Sequence, residues 1–198
     1  MLLVKKVTAV IASLTLVACG SLRNTKTTLR SEASGPVYSS VVDLANASTV
    51  VVIGTVGKKL RVVNDDGGVK GGTAVPTALF NLSVTRVLRG DLKVGQTLVL
   101  AMLDQSVSND WETPPKFGDK LVMFLQRRDP GQVPGLGVAD PVYVAASGDN
   151  AIFTVSGVRA ISKSHTPIIL RGPTPASISA EGPKLEVSIE ELAVTVKG

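Results

Sequence analysis

The sequence predicts a mainly β domain, and three observations support this prediction. The 198 residues are 44% hydrophobic but only 4% aromatic, and they include 19 glycines and 11 prolines. Valine-rich runs separated by glycine and proline are typical of strands and turns rather than of a helical bundle. Five or more such runs follow one another at intervals of roughly ten to twenty residues, which favours a small closed or half-closed barrel. A β-sandwich is the alternative.

Two helices are expected at the ends of this strand-rich region. Residues 39–49 form a short segment with an apolar side, which Ser39 or Ser40 is suited to cap. Residues 187–196 carry Ser188 three positions before Glu191, which is the spacing of a capping box. Between the helices, strands are predicted at 49–56, 77–90, 96–103, 120–127, 142–147 and 151–157.

Three of these strands have distinctive patterns. Gly54 interrupts a β-branched run, which predicts a bulge or a sharp bend. The alternation of the second strand slips between Arg86 and Leu88, where a bulge or a strand end is expected. Residues 120–127 begin as an almost unbroken apolar run, so this strand is predicted to be central in the sheet.

The first 18 residues have the three parts of an export signal. Lys5 and Lys6 form a short basic region, and small residues follow the uncharged run 7–17. A helix of that run, at ~1.5 Å per residue, would reach only about half of the ~30 Å hydrocarbon core of a bilayer. The pattern therefore favours a cleaved signal over a permanent transmembrane helix.

The residues around Cys19, the single cysteine, decide the kind of signal. An ordinary signal peptidase requires small residues at positions −3 and −1 of the cleaved bond, and Leu16 is too bulky at −3. The run Leu16-Val17-Ala18-Cys19 instead resembles the lipobox of bacterial lipoprotein signals. That resemblance implies cleavage between Ala18 and Cys19 and a diacylglycerol thioether on Cys19, which makes membrane lipid the first expected partner.

This interpretation divides the chain into residues 1–18 as a lipoprotein signal peptide, 19–36 as a lipidated flexible tether and 37–198 as a single β-barrel domain. The protein is expected to be exported and anchored by lipid on the extracytoplasmic face of the cell membrane. Gly20, where Asp would favour inner-membrane retention, also permits the outer membrane of a Gram-negative cell. Without Lys5 and Lys6 the charge is 19 basic against 16 acidic residues, or +3. Nucleic acid is not expected as a partner, because this surplus is small and aromatic residues are few.

Three stretches in order resemble the netrin-like modules, which have an OB-type barrel. They are ASTVVVIGTV at 47–56, FNLSVTRVLRGDLKVGQTLVL at 80–100 and PKFGDKLVMFLQ at 115–126. The same pattern is similar to that of many small exported bacterial proteins. The resemblance implies a five-stranded OB-like Greek-key barrel. It implies no inhibitor activity, because the disulfides of netrin-like modules are absent and Cys19 would be lipidated.

Residues with catalytic or metal-binding chemistry are sparse. His165 is the only histidine and Cys19 is assigned to lipid, so neither a metal site nor a cofactor is expected. His165 also lacks a nucleophile-elbow motif nearby. The carboxylates of the loop at 104–119 are interpreted as solvated rather than as a catalytic pair: Asp104, Asp110, Glu112 and Asp119.

The loop at 104–119 is also the best candidate for binding a partner. Trp111 is the only tryptophan, and Trp111 and Phe117 lie near two prolines. The alternative is that both aromatics plug the open end of the barrel. The leading hypothesis is a non-enzymatic interaction or envelope-structural lipoprotein with a protein partner in the cell envelope. The alternatives are a module that binds or inhibits a small ligand or a secreted enzyme, and an envelope hydrolase.

Overall fold

The protein is mainly β, as predicted, with a helix near each end of the described region. The computed structural model describes residues 38–66, 73–104, 115–163, 168–171 and 184–197. The helices are α1 (Val41–Asn46) and α2 (Ile189–Lys197). The strands are β1 (Val50–Asp65), β2 (Val75–Arg89), β3 (Thr97–Leu103), β4 (Lys120–Arg128), β5 (Val142–Ala145), β6 (Ile152–Ser156), β7 (Arg159–Ser162) and β8 (Glu186–Ser188).

These eight strands belong to one sheet, in the order β1-β2-β3-β5-β4-β6-β7-β8. A further pairing of β4 with β1 makes the first five strands a partial ring. Only β3 and β5 pair in parallel, and the other neighbours are antiparallel. The expected count of five strands is thus right for the ring but wrong for the sheet, because β6, β7 and β8 continue outward from β4. The separate sheets of the sandwich alternative are not seen among the described strands.

Strand β4 is central, as its apolar run predicts. It pairs with β1 along one edge and with β5 and β6 along the other. Residues 121–125 are all buried, so both faces of the strand pack against apolar neighbours. A continuous apolar run is the sequence pattern that such two-sided burial requires.

Strand β1 bends where its glycine predicts. The register between β1 and β2 shifts between Ile53 and Gly54, and again between Val51 and Val52. At the second shift, Val51 pairs with Arg89 and Val52 with Val87, so Leu88 of β2 has no pairing partner on β1. Leu88 lies in the segment where the sequence predicts a bulge or a strand end. A Cβ on Gly54 would lie 2.8 Å from Cδ1 of Leu82 and 3.0 Å from the carbonyl oxygen of Ser83. Glycine therefore lets the two strands approach closely at the bend.

Both helices begin at the predicted serine. The Oγ of Ser40 accepts a hydrogen bond from the Asp43 backbone N–H at 3.1 Å and caps α1. The Oγ of Ser188 accepts one from the Glu191 backbone N–H, also at 3.1 Å. Each bond satisfies a backbone donor that the helix itself leaves unpaired. The two helices cover one face of the sheet.

The predicted signal peptide, residues 1–18, and the predicted tether, residues 19–36, lie outside the described residues. The same is true of Ala18 and Cys19, so cleavage and lipidation stay predictions from the sequence. Among the residues that the structure describes, no helix is long and apolar enough to span a membrane.

Candidate functional site

The turn Lys116–Asp119 lies at the end of the 104–119 loop that the sequence singles out, and the structure describes residues 104 and 115–119 of that loop. The backbone N–H of Asp119 donates to the carbonyl of Lys116 at 3.0 Å, and a carboxylate oxygen of Asp119 accepts from the Lys116 N–H at 2.9 Å. Gly118 has φ 88°, which a type II turn requires at its third position. The N–H of Gly118 also donates to the Val56 carbonyl at 2.8 Å. The turn is therefore fastened to strand β1.

Phe117 occupies the second position of this turn and is 74% exposed. At this exposure the ring fills no part of a barrel interior, so the alternative prediction that Phe117 plugs the open end is wrong for this residue. Trp111, the other aromatic residue of the predicted binding loop, lies outside the described residues. Of the two predicted partner-binding residues, the structure thus places Phe117 alone, and it places it at the surface.

A second exposed apolar residue lies at the tip of the β6–β7 hairpin. Ser156 pairs with Arg159, so Gly157 and Val158 form a two-residue turn, and Gly157 has φ 57°. A glycine with positive φ at the first central position is typical of a type II′ hairpin turn. Val158 is 77% exposed, while its carbonyl accepts a 2.9 Å hydrogen bond from the N–H of Ile189 at the start of α2.

The two tips project from the same end of neighbouring strands. Strands β4 and β6 are antiparallel, and their last pair at this end is Leu121 with Thr154. Phe117 lies four residues before Leu121, and Val158 lies four residues after Thr154. Because antiparallel strands run in opposite directions, both steps lead away from the sheet in the same direction. We call Phe117 and Val158 together the apolar tips.

Basic side chains lie around the Phe117 turn. The exposed lysines are on the turn itself, at the start of β4 and on β1 beside the turn: Lys116, Lys120 and Lys58. The Val158 tip instead lies beside the start of α2, where Glu190 pairs with Arg86 at 2.7 Å, and Glu186 pairs with Arg159 at 2.8 Å. Among the residues that the structure describes, lysines therefore dominate the charge around Phe117 but not around Val158.

Lys163 adds a half-buried cation next to this surface. It follows β7, and its backbone N–H donates to the Ile152 carbonyl at 3.0 Å. Burial lowers the pKa of its ammonium group below the ordinary value for lysine. The charge of Asp119 opposes this effect and raises the pKa, whereas the like charges of Lys184 and Lys116 lower it further. These effects place Asp119, Lys184 and Lys116 each within electrostatic reach of Lys163.

Of the predicted catalytic alternatives, the structure describes Asp104 and Asp119, and each is bonded elsewhere. Asp104 accepts a 2.7 Å ion pair from Lys59 on β1, and Asp119 caps its own turn. Asp110, Glu112 and His165 lie outside the described residues. Within the ranges that the structure describes, no three His, Cys, Asp or Glu side chains form a group that could hold a metal ion.

Sequence reasoning missed Val158 and Lys163. The dipeptide Gly157-Val158 between two short β-branched runs is a hairpin signal, but β7 was not predicted, so no tip was expected there. No local pattern distinguishes Lys163 from a solvated lysine, because its burial comes from packing. Comparisons of the chain with models of protein families, with curated proteins and with solved structures find no match.

Proposed function

We propose that this protein is an exported bacterial lipoprotein whose domain is a non-enzymatic interaction module of the cell envelope, with the apolar tips as its binding surface. The observation that carries the choice of surface is Phe117. This aromatic ring is 74% exposed on a turn that is held by four hydrogen bonds, three of them between backbone groups. Leaving it in water is costly, since covering a Phe side chain is worth about 1.5–3 kcal/mol.

The order and direction of the pairings support a finer description of the fold. The partial ring β1-β2-β3-β5-β4, with its parallel β3–β5 pairing and its β4–β1 contact, is the arrangement we propose to be an OB-like barrel. The assignment concerns architecture, and it implies no ligand, because one fold serves many functions.

The anchor rests on the lipobox at residues 16–19 and is tested by Cys19→Ala. The unaltered protein should fractionate with membranes and carry the mass of a diacylglyceryl group on Cys19. The variant should lack that mass and leave the membrane fraction, because two acyl chains give durable binding that a folded domain alone does not. Ser21→Ala, two residues downstream, is the matched control and should behave as the parent. Membrane association with unchanged mass in Cys19→Ala would overturn the anchor.

The binding surface is tested by crosslinking in cells. A photo-crosslinking residue in place of Phe117 should give discrete adducts with an envelope component. The matched control replaces Val94, a 68% exposed residue of the turn between β2 and β3. Gly90, in the same turn, lies against Val50, so this turn is at the other end of the ring-forming part of β1. We expect no discrete adduct from position 94. Equal labelling from both positions would mean that the apolar tips are not a specific surface.

A further inference from the structure

We infer that the apolar tips dock onto the surface of an anionic lipid bilayer, with Phe117 and Val158 entering the interfacial layer and the surrounding lysines contacting the head groups. The inference rests on the proposed function, because it names the partner of the same surface. It differs from the lipid anchor, since it assigns membrane contact to the folded domain itself rather than to Cys19.

Hydrogen bonds fix the backbone of both apolar tips before any docking occurs. The backbone of the Phe117 turn is bonded to Val56, and the carbonyl of Val158 accepts from the first residue of α2, Ile189. Docking therefore orders side chains without having to order the backbone. Fixing the bound geometry in advance lowers the entropic cost of association, so small contacts give measurable binding.

The charge around Phe117 matches an anionic surface. Lys116, Lys120 and Lys58 are exposed there, and Lys163 lies within electrostatic reach of Lys116. Asp119 is bonded within its own turn, while Glu186 and Glu190 are paired with arginines. Among the described residues, Glu191 in the first turn of α2 is a further exposed carboxylate near Val158 and opposes the attraction. Basic residues at a membrane surface each strengthen attraction to anionic head groups.

The shape of the surface favours a bilayer over a protein partner. Phe117 and Val158 protrude from the tips of two separate turns and are each more than two-thirds exposed. A stable protein interface needs about 800 Å² of complementary surface on each side, whereas a fluid lipid interface deforms around isolated protruding side chains. Amphipathic surfaces with apolar residues surrounded by lysine are typical of interfacial membrane binding.

Two further features make weak docking effective. The lysine stems can lie along the apolar side chains while their ammonium groups reach the phosphates. In addition, an anchor at Cys19 would keep the domain close to the bilayer, which raises the effective concentration of the second contact. The docking itself does not require the anchor and can be measured without it.

The experiment uses the full chain carrying Cys19→Ala, so that no lipid anchor contributes. Its partition onto vesicles of phosphatidylcholine alone is compared by flotation with partition onto vesicles containing about one-third phosphatidylglycerol. We expect stronger binding to the anionic vesicles, and we expect the difference to shrink at high salt because the lysines are exposed. The N-terminal segment, with Lys5, Lys6 and the apolar residues 7–17, gives the same background in every variant. Docking by the domain is therefore measured as the difference between variants on the same vesicles.

Two pairs of variants locate the docking surface. Phe117→Ser with Val158→Ser should lower the partition coefficient on anionic vesicles by about tenfold, whereas Val94→Ser should not change it. Lys116→Glu with Lys120→Glu should also lower it by about tenfold. Lys93→Glu with Lys197→Glu alters the net charge equally at other places and should have a smaller effect. Unfolding midpoints equal to that of the parent show that the variants are folded.

The outcomes separate this inference from the proposed function. Equal partition of the parent and the Phe117/Val158 variant, or equal binding to neutral and anionic vesicles, overturns bilayer docking. If position 117 crosslinks to a protein in cells while vesicle binding is insensitive to the variants, the tips are a protein interface; the proposed function then stands without this inference. If vesicle binding depends on both variant pairs and not on their controls, the docking is supported.

Discussion

Two apolar clusters lie on opposite faces of strands β1 and β4, and they are built in different ways. The cluster inside the five-stranded ring takes Leu121, Met123 and Leu125 from β4, whereas the outer cluster takes Val122 and Phe124. Alternate side chains of one strand thus enter separate cores. The inner cluster is formed by strands alone, and the outer cluster also draws residues from α1, α2, β7 and β8.

The difference explains two kinds of sequence pattern. Strands that divide the clusters are buried on both faces, so they are continuous apolar runs. Strand β2 borders the inner cluster at Leu82 and Val84, and its intervening Ser83 is exposed, so it alternates. The outer cluster needs elements from both ends of the described chain, which means that it is completed by contacts distant in sequence.

The largest expected effect comes from emptying the outer cluster. Phe124 is fully buried, and its ring centroid lies 5.6 Å from that of Phe153 on β6. Phe124→Ala should lower the free energy of unfolding by about 3–5 kcal/mol, measured by urea denaturation, because a large cavity remains. Met123→Ala, its neighbour in the inner cluster, should cost about 2–5 kcal/mol.

Phe117→Ala is the matched control, since it removes the same side chain from a 74% exposed position. It should change stability by no more than about 0.5 kcal/mol. If Phe124→Ala also cost less than about 1 kcal/mol while Met123→Ala kept its full effect, the outer cluster would be a dispensable layer. The two clusters would then not be equal parts of one cooperative domain.

A smaller effect is expected from overfilling the bend of β1. Gly54→Ala places a Cβ 2.8 Å from Cδ1 of Leu82, a member of the inner cluster. The clash should destabilise the protein by about 1–3 kcal/mol, measured as a shift of the urea midpoint. Gly131→Ala is the control, because nothing lies within 4 Å of the added Cβ. A neutral Gly54→Ala would show that the inner cluster relaxes easily at the bend.

Removing a helix cap should weaken the outer cluster alone. Ser40→Ala deletes the acceptor for the Asp43 N–H and should cost about 1 kcal/mol. Hydrogen exchange should become faster in α1, while β3 keeps its protection, because no residue of β3 belongs to the outer cluster. Ser188→Ala should act in the same way at α2. Faster exchange spreading equally into β3 would mean that the two clusters open together.

The smallest effect is expected from the exposed ion pair that joins α2 to β2. The hydrogen bond from Arg86 lowers the pKa of Glu190 below the ordinary carboxyl value, and the Arg86 charge adds to it. A lowered folded pKa stabilises the protein above the unfolded value of about 4.3, and this contribution is lost as the pH falls through the folded pKa.

Thermal unfolding between neutral and acidic pH tests this pair. Glu190→Gln should lower the midpoint slightly at neutral pH and low salt, and its curve should meet that of the parent in acid. Glu191→Gln removes a neighbouring carboxylate from the same helical turn and is the control. A Glu190→Gln difference that persists in acid or at high salt would contradict an ionic origin, since exposed pairs are screened.

Local patterns predicted individual elements well and their assembly less well. The helix starts at Ser40 and Ser188, the bulge near Leu88 and the central position of β4 each depend on neighbouring residues, and each was predicted. Strands β7 and β8 have only four and three residues, too short for a periodic signal. The sequence identified Phe117 as a candidate partner-binding residue. Whether its side chain plugs the end of the barrel or lies at the surface depends on tertiary packing, which the sequence does not show.

The sequence by itself determined the fold class, the helix caps, the bend at Gly54 and the expectation of a lipid-anchored, exported protein, because hydrogen bonding, backbone freedom and signal motifs are local. Only the tertiary structure decided that five strands form a partial ring with a parallel β3–β5 pairing. It also decided that Val158 lies beside the Phe117 turn and that Lys163 is half-buried among other charges. Those outcomes depend on contacts between residues far apart in the chain, which no local pattern encodes.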